Sequence, residues 1–132
     1  PALCAGFGAA ARLAVQRRES DAELVEDLWR TARSTLPGFT LNGSGEQRWH
    51  GNLNLRREGL DVARLMSDLR DIAFSAGSAC ASGSGKPSHV LRAIGLCDKE
   101  ARSAIRLGFG RYTRMQEVVE ACTRIAEAAA AQ

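Results

Sequence analysis

Apolar residues recur at helical intervals in four stretches of the chain. In residues 1–18, Leu3, Phe7, Ala10, Leu13 and Ala14 fall on one helical face. Ala22, Val25, Trp29, Ala32 and Leu36 share a second face, which Pro37-Gly38 terminates, and Ser20-Asp21-Ala22-Glu23 has the form of a capping box that would start this helix. Val62, Leu65, Met66 and Leu69 make residues 60–71 amphipathic. After a second capping pattern at Thr113-Arg114-Met115-Gln116, a long stripe runs through Met115, Val118, Val119, Cys122, Ile125, Ala126 and Ala129. Trp29 and Cys122 stand within these stripes and are read as core residues.

Strand periodicity appears between the helices. Asn52-Leu53-Asn54-Leu55-Arg56 alternates with period two, and Ile105-Arg106-Leu107-Gly108-Phe109-Gly110 does the same with Arg106 on the open face, beside glycines that leave room for an approaching group. Phe39-Thr40-Leu41 before Asn42-Gly43 reads as a short strand and turn, and Ile72-Ala73-Phe74 as the end of another. Residues 87–96 make a compact helix, with Pro87 in its first turn and Gly95 as a left-handed C-cap, and Asp98 caps a further short helix through Ala104. The expected fold is α/β in the broad sense (α+β): one small, mainly antiparallel sheet of three or four strands with helices on one face.

Composition narrows the function classes. A chain of 132 residues, 45% hydrophobic and 25% charged, is an ordinary single globular unit. No stretch approaches the roughly 20 apolar residues needed to span a bilayer and no signal-peptide pattern opens the chain, so a cytoplasmic location is expected, with no membrane association. The net charge of +3 comes almost wholly from scattered arginines, which suit carboxylate recognition, while the low aromatic content argues against nucleic-acid binding. Cys4, Cys80, Cys97 and Cys122 are widely spaced without zinc-site intervals, so neither a structural metal site nor a disulfide scaffold is expected.

Residues 75–87, Ser75 to Pro87, are almost free of bulky side chains and carry one thiol, Cys80, near the middle. Such a segment reads as a mobile loop. A buried structural role suits most free cysteines, but this one has few apolar neighbours in sequence, which favours a reactive role. Lys86 or the helix start near Pro87 would favour its thiolate. Gly83-Ser84-Gly85-Lys86 is not a Walker loop, because Cys80 stands where that motif needs glycine and Pro87 where it needs Ser or Thr.

Gly77-Ser78-Ala79-Cys80, followed by Pro87-Ser88-His89-Val90-Leu91-Arg92-Ala93-Ile94-Gly95, resembles the active-site loop of the class I cysteine desulfurases, the aminotransferase class V proteins that release sulfur from L-cysteine. The segment Ile105 to Thr113 is similar to their Ile-Arg-x-x-x-Gly-Arg-aromatic-Thr/Asn segment, and the opening residues and the Asn-x-Leu-Asn strand are similar too. The resemblance implies that Cys80 is the catalytic persulfide carrier and Arg106 the anchor of the substrate carboxylate, with Arg111 a structural charge. It implies the small C-terminal domain of a fold-type I pyridoxal phosphate enzyme, in residues 19–132. Residues 1–18 would be a linking helix from a missing large domain, and the abrupt apolar start reads as a cut within a longer chain.

Further expectations come with the family. Its pyridoxal phosphate is bound mainly by the large domain, and neither Lys86 nor Lys99 stands in the family's Ser-x-His-Lys context, so the chain alone should be inactive. The implied partners are L-cysteine, an iron–sulfur scaffold or other sulfur acceptor, and a second subunit in the complete homodimer, with Cys80 transiently sharing a cluster with the scaffold. His50 and His89 are not expected to be catalytic; His50 reads as a surface residue and His89 as buried or capping. Cys4 and Cys97 are assigned to packing. Two alternatives remain at this stage: a stand-alone persulfide carrier, which has no use for Arg106, and the small domain of a pyridoxal enzyme without desulfurase activity, which has none for Cys80.

Overall fold

The computed structural model describes residues 1–77 and 87–132. Its order is α1 (Ala2–Gln16), α2 (Arg18–Thr35), β1 (Thr40–Leu41), β2 (Asn52–Arg56), α3 (Val62–Asp68), β3 (Ser75–Ala76), α4 (His89–Ala93), α5 (Asp98–Arg102), β4 (Ala104–Gly108) and α6 (Met115–Ala130). The strands form one antiparallel sheet in the order β1-β2-β4-β3. The mixed class and the antiparallel sheet are as the sequence predicts.

Alternation decides what each sheet face carries. Leu53 pairs with Leu107 and Leu55 with Ile105, and these four side chains turn to the helices. There they meet Leu28, Trp29 and Ala32 of α2, Val62 and Leu65 of α3, and Val118, Cys122, Ile125 and Ala129 of α6 in one continuous core. The opposite face presents Asn54, Arg56, Arg106 and Gly108, and is covered at one end by Leu91 of α4 and Ala101 of α5, packed on Ala104.

Several local expectations are revised. Helix α2 begins at Arg18, so Ser20 lies inside the first turn and its hydroxyl donates to the Arg17 carbonyl (3.1 Å) instead of capping. The chain is already helical through Gln16 and breaks only at Arg17, which leaves Ser20 no free N-terminus to cap. At α6 the reciprocal partner is Glu117, which accepts from the Arg114 N–H at 3.1 Å, one residue beyond the predicted Gln116. Ser88 caps α4, accepting from the Leu91 N–H at 3.3 Å, so Pro87 precedes the helix instead of standing in its first turn, while Gly95 takes the left-handed conformation (φ +97°) expected of it. The N-cap of α5 is Cys97, and Asp98 pairs with Arg92 at 3.2 Å.

Ile72-Ala73-Phe74 is not strand; pairing begins at Ser75, because the partner positions on β4 are Arg106 and Ile105. Helix α1 buries no residue: Leu3, Phe7 and Val15 are exposed, and nothing approaches Gly6. Cys4 and Cys97 are exposed, contrary to their assignment to packing, and so is His89. Cys122 is buried as expected.

Candidate functional site

Arg106 lies at the middle of β4, opposite Asn54 on β2 and Ser75 on β3, on the face turned away from the helical core. It is half-buried. Other half-buried arginines are matched: Arg56 donates to Asn42 Oδ1 (2.5 Å) and lies 3.4 Å from Glu100, Arg111 donates to Asp21, Arg124 to Asp71, and Arg57 stacks on Phe39. Arg48 donates to the carbonyls of Asn42, Ser44 and Asn52. Arg106 has no hydrogen bond or ion pair among the described residues. A guanidinium keeps its charge, so its five donors have no partner among the described residues and are free for a ligand. Gly108 stands two residues along the same face, and a Cβ added there would meet nothing nearer than the Gly51 carbonyl at 4.0 Å, so among the described residues nothing fills the space beside Arg106.

The strand opposite Arg106 leads towards the predicted carrier. After Ser75 and Ala76, the Gly77 N–H donates to the Ala104 carbonyl at 2.8 Å. A Cβ on Gly77 would lie 2.9 Å from Leu91 Cδ1 and 3.0 Å from Ala104 Cβ, so glycine is what permits this close approach. Cys80 and Lys86, with the rest of 78–86, lie outside the described residues. The two ends of that segment are secured: Gly77 against β4, and Ser88 by the cap that leads to buried Leu91.

Two arrangements were not anticipated from sequence. Asn42 and Asn54, both buried, are joined side chain to side chain at 2.7 Å, and Arg56 completes the chain of contacts. Trp29 packs against His50 with the rings tilted by 44° and their centroids 4.4 Å apart, flanked by the guanidiniums of Arg33 and Arg48, and His50 Nδ1 contacts Glu26 while Nε2 faces the Gly45 carbonyl at 3.2 Å. His50 is therefore partly buried and occupied in packing. Burial and the charge of Arg33 hold the Arg48 pKa below its ordinary value. Asparagine on the open face of β2 is the one local signal that bears on the first arrangement, and it does not show the partner; nothing local marks the second.

Cys122 does not suit sulfur chemistry. Burial pushes its thiol up to about 11, away from the thiolate that reacts. It forms part of the wall of a groove of about 490 Å³ with Ile72, Leu107 and Val118, whose rim carries the Asp71–Arg124 pair. Among the described residues no group of three or more His, Cys, Asp or Glu is placed to hold a metal, and no helix is long and apolar enough to cross a membrane.

No protein-family model matches the chain. Individual proteins do. It is 41% identical over 120 residues to cysteine desulfurase IscS of Rickettsia typhi, 42% over 120 to the mitochondrial cysteine desulfurase of Arabidopsis thaliana, and 42% over 120 to the cysteine desulfurase of Mus musculus. Each alignment takes in 88% of this chain. By sequence the chain belongs with the cysteine desulfurases. It spans 29%, 26% and 26% of the lengths of these relatives, so it corresponds to a segment of each.

Solved structures share the fold of this segment. A NifS-like protein superposes with a TM-score of 0.75 at 22% identity, covering 91% of this chain and 31% of the other. A NifS-like protein from Rickettsia africae gives 0.73 at 22%, covering 93% and 34%.

Pyridoxal phosphate, which the family resemblance implies, does not fit the described residues. Their one lysine, Lys99, lines a cleft of about 280 Å³ with Arg56, but Glu58 lies 3.7 Å from the lysine and Glu100 3.4 Å from the arginine. Both cations are thus matched by carboxylates, whose charge opposes a phosphate.

Proposed function

We propose that this chain is the C-terminal small domain of a cysteine desulfurase, supplying the sulfur-accepting cysteine and the substrate carboxylate anchor to an active site completed elsewhere. The observation that carries the reading is the unmatched, half-buried guanidinium of Arg106, directly across from the strand whose continuation holds Cys80. A bidentate fork with no counter-charge among the described residues suits the carboxylate of an amino acid. Overall, L-cysteine and the Cys80 thiol give L-alanine and a Cys80 persulfide, a balanced transfer of one sulfur atom.

Pyridoxal phosphate and its Schiff-base lysine are assigned to a large domain joined to residues 1–18, and the segment alone is expected to be inactive. The complete enzyme is a homodimer in the cytoplasm that hands its persulfide to an iron–sulfur scaffold or another acceptor, with Cys80 able to share a nascent cluster. The test is to isolate the protein from its source cell after feeding with L-cysteine, block thiols, and map the extra sulfur by mass spectrometry of peptides. It is expected on Cys80 and absent from the Cys80→Ser protein. Extra sulfur on Cys4 or Cys97 with Cys80 bare would overturn the assignment.

A further inference from the structure

The open sheet face holds a second donor whose orientation is fixed by its neighbours. Arg56 can only donate, so the Asn42 atom it meets at 2.5 Å is Oδ1. The other arm of that amide, Asn42 Nδ2, then donates to Asn54 at 2.7 Å, which makes the accepting atom Asn54 Oδ1. Oδ1 of Asn54 is thus turned to the β1 side. Its Nδ2 is turned away from β1, to the side where Arg106 stands as the cross-strand partner. Side chains paired in this way have Cβ atoms about 4.5–5.5 Å apart.

Asn54 is only 8% exposed, yet its Nδ2 has no partner among the described residues. Neither this amide donor nor the Arg106 guanidinium is among the buried unpartnered atoms, so both stand free at the open side of the sheet face, side by side and available to a ligand. Both groups are donors, so neither can satisfy the other. What satisfies both is an external acceptor with several lone pairs and a negative charge.

We propose that Asn54 and Arg106 together form a carboxylate site, in which the Arg106 fork takes the charge and Asn54 Nδ2 donates a further hydrogen bond that fixes the carboxylate plane. A carboxylate has enough lone-pair directions for both. The inference rests on the reading of Arg106 as carboxylate anchor and adds a specificity-determining residue to it. Asn42, held by Arg56, is the positioning residue that keeps Nδ2 outward; Glu100 in turn steadies Arg56.

The test is a titration of the 132-residue chain with propionate, and with uncharged propionamide as control, followed by the NMR signals of the Asn54 Nδ2 and Arg106 Nε protons. Both signals are expected to move with one dissociation constant for propionate and to ignore propionamide. Asn54→Ala should weaken binding about tenfold, the worth of one hydrogen bond to a charged group, with the β4 amide signals unchanged. A response at Arg106 without one at Asn54, or an Asn54→Ala protein that binds as tightly as the parent, overturns the Asn54 role and leaves the Arg106 reading standing. Silence at both residues overturns the two together, and an equal response to propionamide overturns carboxylate recognition.

Discussion

Asp21 Oδ2 accepts from both Nε and Nη2 of Arg111, a residue 90 positions away, and so ties the first turns of α2 to the turn that leaves β4. Both side chains are about three-quarters buried, at 26% and 22% exposure. The Asp21 carboxylate raises the Arg111 pKa above its ordinary value. Arg111 is thus committed to structure, as the sequence reading assigned it, and Arg106 is left available. Arg111→Ala should lower the thermal midpoint more than Arg114→Ala, which removes only an exposed pair with Glu117 within one helix. Equal shifts in a melting experiment would mean that the Asp21 tie contributes little.

Acid should weaken the fold through carboxylates held below their usual range. Hydrogen bonds from Arg124 do this for Asp71, the Cys97 N–H does it for Glu100, and the Arg114 N–H for Glu117. Because the folded pKa is the lower one in each case, the stabilisation is present above the ordinary carboxylate range near pH 4 and is lost as pH falls through the folded values. Arg124→Ala removes the largest cause of the lowered Asp71 pKa and moves it up towards its ordinary range. Its midpoint should be lower than the parent's at neutral pH and fall less steeply on acidification; parallel curves would exclude the mechanism.

The buried thiol of Cys122 gives the opposite arm. Its folded pKa is raised by burial from 9.0 to about 11, so the stability tied to the neutral thiol is complete below pH 9 and declines as pH rises towards 11. Cys122→Ala should cost on the order of 1 kcal/mol at neutral pH through the lost core contacts and show a flatter decline in this alkaline window. Denaturant titrations of both proteins from neutral pH to pH 11 would decide it.

Gly77→Ala should destabilise by about 1–3 kcal/mol, the usual cost of overpacking. The new methyl meets both Leu91 Cδ1 and Ala104 Cβ, and only the leucine can give way. Shortening that neighbour in Gly77→Ala/Leu91→Val should therefore recover part of the loss, giving a non-additive pair in a double-mutant cycle. Strict additivity would show that the two positions do not press on each other.

His50→Ala should uncover part of Trp29 and loosen residues 42–51, since the ring both packs on the indole and contacts Glu26. Trp49 is 62% exposed and would mask the signal, so the comparison belongs in a Trp49→Phe background. A red shift of the Trp29 emission is expected; an unchanged spectrum would mean that other groups shield the indole.

What could be read from sequence was what depends on short-range periodicity. The Asn52–Arg56 alternation and the open-face position of Arg106 need only a period of two, and the structure reproduces both. The start of α2 was misplaced because Ser20-Asp21-Ala22-Glu23 looks like a cap only if the preceding chain is not helical. Strand β3 has no apolar signature of its own and exists because β4 offers Ile105 and Arg106 as partners. The Asn42–Asn54 bond spans twelve residues and forms only once β1 and β2 pair, so no local window contains it.

Both margins of the sheet, β1 and β3, are strands of two residues each, while the longer β2 and β4 lie between them. Among the described residues neither border offers an extended ribbon of open backbone on which another chain could register. Brief edges of this kind guard against intermolecular strand addition. Among the described residues the sheet therefore presents no template for amyloid-like growth at its margins, even where its polar face carries Arg106 without a partner.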